Sequence, residues 1–309
     1  WSRGTISTAI AIGWLVNGAS QPFLGRLYDR FGGRKTISIS LAALGASTML
    51  LSQTNSIWFL ILVYGIVMSV AAGGASLVTV HALLARWFYR RRGQALSLST
   101  AGASAGALVL APFAAYLILV VGWRMTWTVM GAMILLLAVP LAFLIIRDDP
   151  AAIGEQPDGE GDRSDRGGRP MSRNGYQRGP LEADDWRESY RSRPMWQLTG
   201  AYFVCGMTTA IISAHYVPFA TDRGASLGTA ALAFGLMSGL NVIGVLAVGT
   251  MSDRLSRKNL LGTVYAVRGL AYLMLLLAPG AWALWGFAVI AGMSWIASAP
   301  LTSSLMADI

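Results

Sequence analysis

Charge is what this sequence has least of. Only 13% of its 309 residues are Asp, Glu, Lys or Arg, about half of the roughly 25% that a soluble domain carries, which argues against a soluble enzyme from the outset. Acidic side chains are scarcer still. Of 15, eleven lie between Asp148 and Glu188, leaving Asp29, Asp222, Asp253 and Asp308 for the rest of the chain. The apolar runs therefore offer no paired carboxylates for acid–base chemistry. One cysteine, Cys205, excludes an internal disulfide framework and any multi-cysteine metal site, and two histidines leave little else to bind metal. No cofactor is expected. The formal charge of +9 would suggest nucleic acid as a partner in a soluble chain. Here the basic residues cluster in short loops between apolar runs, where anionic lipid headgroups account for them, and nucleic acid is not an expected partner.

What the chain has in abundance is apolar length, with 54% hydrophobic residues. Crossing about 30 Å of hydrocarbon at about 1.5 Å per helical residue takes roughly 20 residues. Nine runs qualify: 5–27, 36–53, 57–85, 93–121, 125–146, 196–220, 228–250, 259–279 and 282–306. Alternating strand patterns are missing, so the expected class is an all-α membrane protein of nine transmembrane helices rather than a barrel. Orientation follows from the loops, because basic residues stay on the cytoplasmic side. Arg26, Arg30, Arg34 and Lys35 follow the first run and Arg86, Arg90, Arg91 and Arg92 the third, whereas 53–56 has none and 122–124 one. Every second loop is basic through all eight connections. Residues 148–195 mix Gly, Pro, Ser and Arg with acids and lack apolar periodicity, a composition expected of a disordered cytoplasmic linker. It separates an N-terminal half, 1–147, from a C-terminal half, 196–309.

The two halves share a pattern. Gly25-Arg-Leu-Tyr-Asp29-Arg30-Phe-Gly32-Gly-Arg34 matches Gly249-Thr-Met-Ser-Asp253-Arg254-Leu-Ser256-Arg257-Lys258 at an offset of 224, which also superposes Asn17 on Asn241. A duplicated helical unit is the simplest account. In the second copy another helix precedes the motif helix, and in the first copy none does. Six helices per half would therefore place one further helix before Trp1 and two after Ile309, and the absence of an initiator methionine points the same way. Two six-helix halves joined by a cytoplasmic linker form a transporter architecture, with substrate held at the midplane.

The twice-present Gly-x-x-x-Asp-Arg loop resembles the loop after the second and eighth helices of the major facilitator superfamily. The resemblance covers the chain outside the linker, as helices two to ten of twelve. Trp87-Phe88-Tyr89-Arg90-Arg91-Arg92-Gly93, followed by Ala101-Gly102 and Gly106, is similar to the monocarboxylate-type and bacterial organic-anion members. This resemblance implies alternating-access transport of a small organic solute, first a carboxylate anion, with protons as the coupled ion. It also implies a monomer in a bacterial cytoplasmic membrane. An exporter of amphipathic compounds and a transporter-like receptor are the rival readings. Two departures stand out. Monocarboxylate carriers have an aspartate and an arginine eight and four positions before the second loop glycine, where this chain has Asn241 and Val245. Drug antiporters have a Gly-Pro where Ala111-Pro112 stands.

Candidate residues fall into two groups. Gly25 and Gly249 permit close helix approach. Asp29 and Asp253 carry charge at the lipid boundary, where a neighbouring helix N-terminus or an arginine can offset it. With Arg30, Arg34, Arg254 and Arg257 they are implied by the resemblance to latch a cytoplasmic gate, the alternative for the arginines being contact with headgroups alone. The second group concerns substrate. Arg268 lies ten residues beyond Lys258, about 15 Å and so near the midplane. A charge there is costly and usually faces a cavity, so Arg268 either meets an anionic substrate or pairs structurally, with backbone carbonyls or with one of the further helices expected beyond this sequence. His215 is a candidate for proton exchange or for packing, and Asn17 and Asn241 either line the path or bond between helices.

Overall fold

Serine and glycine punctuate the helices of this chain. The computed structural model describes residues 1–88, 90–155, 192–277 and 280–306, so the greater part of the expected linker lies outside the described residues. Helix α1 (Arg3–Phe31) opens on Ser2, whose hydroxyl accepts from Thr5 N, and closes at Gly32. α2 (Gly33–Leu50) follows directly, and α3 (Ile57–Trp87) opens on Ser56, whose hydroxyl accepts from Phe59 N. α4 (Arg92–Met133) leads through a short π-helical stretch into α5 (Val139–Ile145). After the linker, α6 (Arg193–Asp222) and α7 (Leu227–Ser252) start on the side-chain caps Ser192 and Ser226. α8 (Arg257–Leu277), α9 (Ala281–Ser294) and α10 (Ser298–Met306) complete the order.

Several of these helices are interrupted. α3 is π-helical over Ile61–Met68 and broken at 75–76. α4 leaves helical geometry at Gly122, with φ 79° and ψ 163°, which separates the apolar runs 93–121 and 125–146. α6 bends by 50° between Arg193–Ser213 and His215–Asp222, and α9 is parted from α10 at 295–297. Six helical stretches among the described residues are long and apolar enough to cross a membrane, or seven with the bent α6. The expected nine are therefore not all reached. The run 5–27 is helical too, but Asn17, Ser20, Gln21 and Pro22 dilute its apolarity. The run 93–121 enters the count only through its last residues, in the span Tyr116–Ile145.

Two compact units divide the chain: Trp1–Leu83 with Val109–Glu155, and Leu84–Leu108 with Gln156–Ile309. The start of α4 thus packs with the second unit. Within the first, Tyr28, Ile37 and Leu83 form a small core. Within the second, Ile212, Tyr216, Met237, Phe287 and Trp295 pack together, with Tyr216 stacked on Phe287 at 5.6 Å. Large apolar side chains such as Trp58, Leu119, Ile145 and Leu277 are exposed, as lipid-facing positions of membrane helices are.

Candidate functional site

The face of α8 that carries Tyr265, Arg268 and Tyr272 is built on i, i+3, i+7 spacing. Both tyrosines donate to carbonyls of α6, Tyr265 to Ala201 O at 2.8 Å and Tyr272 to Thr208 O at 2.7 Å. Between them the Arg268 side chain is 2% exposed. Its Nη1 points at Cys205 Sγ (3.5 Å) and Thr208 Oγ1 (3.4 Å) on α6. Its Nη2 donates to Ser294 O, to Trp295 O at 2.5 Å and to Ser298 Oγ at 3.1 Å. The last carbonyls of a helix have no intrahelical donors and carry the negative end of its dipole, so the guanidinium closes the end of α9. Nε has no partner, and no carboxylate bonds to the group among the described residues. A central membrane arginine costs about 2.5–3.5 kcal/mol, and here only neutral acceptors offset it.

The two asparagines bond between helices. Asn241 is fully buried, donates Nδ2 to Gly292 O at 3.1 Å and accepts from Ser104 Oγ at 3.2 Å. Asn17 donates Nδ2 to Ser69 O at 2.8 Å and accepts from Gln21 at 3.4 Å. His215 is exposed, at the bend of α6. Asn241 and Arg268 thus converge on the α9–α10 break, and His215 stands ten residues beyond Cys205 on α6.

The repeated loop is arranged differently in its two copies. In the second, Asp253 accepts from two successive amides at the start of α4, Gly93 N at 2.8 Å and Gln94 N at 3.0 Å. This is the work of an N-cap supplied by another helix, and Arg257 stands 3.7 Å from the same carboxylate. Gly249 makes the approach possible: a Cβ there would collide with the Ser97 side chain and lie 2.9 Å from Gly93 O. In the first copy Asp29 and Gly25 are exposed, and a Cβ at Gly25 would meet nothing within 4 Å among the described residues. Arg254 is exposed, and Arg30 lies 5.3 Å from the ring of Phe31. Arg34 turns to the end of α5, donating Nε to Phe143 O at 2.8 Å over that residue's ring. The N-terminus of α2 is held by Asp148, whose carboxylate accepts from Arg34 N at 2.6 Å. Sequence reasoning left Asp148 in the linker and assigned no role to Ser104, Thr208 or Ser298. The one available signal was that Asp148 is the first acid after an apolar run.

The whole chain, residues 1–309, matches the model of the Major Facilitator Superfamily. An uncharacterized MFS-type transporter of Bacillus subtilis, YcxA, is 28% identical over 99% of this chain and 71% of its own length. Monocarboxylate transporter 14 of Homo sapiens is 26% identical over 54% of this chain and 32% of its own. The oxalate:formate antiporter of Oxalobacter formigenes is 23% identical over 100% and 69% respectively. Among solved structures, the Escherichia coli fucose:proton symporter FucP superposes with a TM-score of 0.67 at 15% identity, covering 99% of this chain and 81% of that one, a likeness of fold. Broken helices, the duplicated glycine–aspartate loop and a family match from end to end agree: this chain belongs to the Major Facilitator Superfamily, as a multi-pass integral membrane protein.

Proposed function

We propose that this chain moves a small organic anion, a carboxylate, across the membrane by alternating access with proton coupling. Its superfamily is one of transporters, not enzymes. The observation that carries the anion reading is Arg268, a buried cation whose partners are all neutral. Among the described residues the acids stand near helix ends or in the segment that follows α5, and none bonds to this guanidinium. A carboxylate cargo supplies the missing negative charge at a site where low polarity strengthens the attraction. Relatives named for oxalate, formate and monocarboxylates support the same class. Asn241 and Val245, where monocarboxylate carriers have an acid and an arginine, move that charge from α7 to α8 in this reading. His215, exposed on α6, is the proposed proton-exchanging group, and Asn17 and Asn241 border the path.

The gate residues set the conformational equilibrium. Asp253 holding the start of α4 is the latched form, and opening breaks two charge-assisted hydrogen bonds. Gly249, Arg254 and Arg257 belong to the same latch, and Gly25, Asp29, Arg30 and Arg34 form its counterpart in the first copy. The carrier acts as a monomer in a bacterial cytoplasmic membrane.

Uptake of radiolabelled oxalate, formate and lactate by inside-acidic and inside-alkaline proteoliposomes tests the proposal. Anion flux should follow the pH gradient, fall at least tenfold in Arg268→Leu and lose its gradient dependence in His215→Ala. Undiminished flux in both variants removes these two residues from the site. Flux of amphipathic cations without any anion flux replaces the reading with export of amphiphiles.

A further inference from the structure

Asn17 and Asn241, 224 residues apart, spend their amides on the same kind of target. Asn17 Nδ2 reaches a carbonyl 52 residues on, at Ser69, and Asn241 Nδ2 one 51 residues on, at Gly292. In each unit that carbonyl lies shortly before a break, at 75–76 in the first and 295–297 in the second. Ser69 opens the α-helical turn that follows the π-helical stretch, and Gly292 lies in the last turn of α9. The Ser69 hydroxyl donates back to Tyr64 O at 2.9 Å. Gly292 O receives Trp295 N at a long 3.4 Å, as the last turn of α9 tightens. Helix packing is close at both places. A Cβ at Gly73 would lie 3.3 Å from Asn17 Nδ2, and one at Gly292 would lie 2.8 Å from Met237 O.

A helix broken within a membrane must have its freed carbonyls satisfied by its neighbours, and the neighbour's donor then decides where the break falls. We propose that Asn17 and Asn241 are positioning residues that fix where α3 breaks at 75–76 and where α9 is parted from α10 at 295–297, one hinge in each unit. Arg268 adds to the second hinge a charged clamp on Ser294 O and Trp295 O. The first hinge lacks it, because Leu44 stands 224 residues before Arg268. A neutral amide releases a carbonyl readily, whereas a guanidinium without a carboxylate holds its carbonyls until another acceptor arrives. The two hinges are therefore unequal, and the second is the stiffer. This holds whatever the cargo is.

Pulsed electron paramagnetic resonance tests the proposal on the purified protein in lipid nanodiscs, in a Cys205→Ser background. One nitroxide pair spans the second break (Trp282→Cys with Met306→Cys) and another the first (Trp58→Cys with Val78→Cys). Asn241→Leu should shift and at least double the width of the 282–306 distance distribution while leaving 58–78 unchanged, and Asn17→Leu should do the reverse. Asn241→Gln, which keeps an amide donor, should restore most of the original distribution. Arg268→Leu should broaden 282–306 further than Asn241→Leu does. Unchanged distributions in folded asparagine variants, or equal changes in both pairs, overturn the hinge assignment, and an unchanged 282–306 pair in Arg268→Leu overturns the clamp. Where a leucine variant does not fold, the alanine variant at the same position decides between the same outcomes.

Discussion

Charged side chains in this protein spend their hydrogen bonds on the ends of helices. Asp253 and Asp148 take N-terminal amides. Arg34, Arg223 and Arg268 take carbonyls at or near helix C-termini, and Arg124 reaches Thr54 O and Asn55 just past the end of α2. With few counter-ions available, the partial charges of the backbone serve instead. The offset of a loop aspartate by a neighbouring helix N-terminus is a property the residue type itself suggests, and Asp253 has it. Which helix would supply the amides was not legible, since Gly93 lies 160 residues away and no local pattern encodes so distant a contact. Replacing Asp253 with Asn should cost about 0.5–2 kcal/mol, read as a lower thermal unfolding midpoint in nanodiscs. Gly249→Ala should cost about 1–3 kcal/mol through overpacking, and Ser97→Gly in the same chain should recover part of the loss. An unshifted midpoint in Gly249→Ala would contradict the close approach of α7 to α4.

Helices open where Ser2, Ser56, Ser192 and Ser226 accept from the first free amides, a capping signal that the apolar runs alone do not use. Turns were readable at Gly32, Gly122, Gly224 and Gly280, each at positive φ. The breaks were not. Neither 75–76 nor 295–297 contains a glycine or proline, and the second is met by Arg268 and Asn241 from other helices, so tertiary contact rather than propensity accounts for it. The junction of α1 and α2 gives a sharper test of element-level reading. Gly32 has φ 83°, and a Cβ there would lie 2.8 Å from the Asp148 carboxyl carbon. Gly32→Ala should therefore destabilise by more than about 1 kcal/mol, and chemical denaturation midpoints would show it. Asp148→Ala would not rescue that variant, because it removes the cap of α2 along with the steric conflict.

Across the whole molecule, composition alone pointed to lipid, and the duplicated loop pointed to the superfamily, because both depend on residue type and spacing. The number of spans was less legible: the run 5–27 reads as a span and is helical, yet the small polar residues of α1 leave it outside the six stretches apolar enough to count, as expected where such residues mediate helix contacts. The alternation of basic loops makes a claim about sidedness that labelling can check. In cells, Asn55→Cys should react with an impermeant maleimide from the outside, and Arg90→Cys only after permeabilisation; the opposite pattern would invert the topology. The sole thiol adds a native clock. Cys205 is 7% exposed, with Sγ 3.0 Å from Ser298 Oγ and 3.5 Å from the Arg268 guanidinium. Resting protein should therefore resist alkylation, and any solute that coaxes the guanidinium from its carbonyls should quicken it. Core breathing could then be timed by mass spectrometry in unmodified carrier, one sulfur atom reporting on the surroundings of one charge.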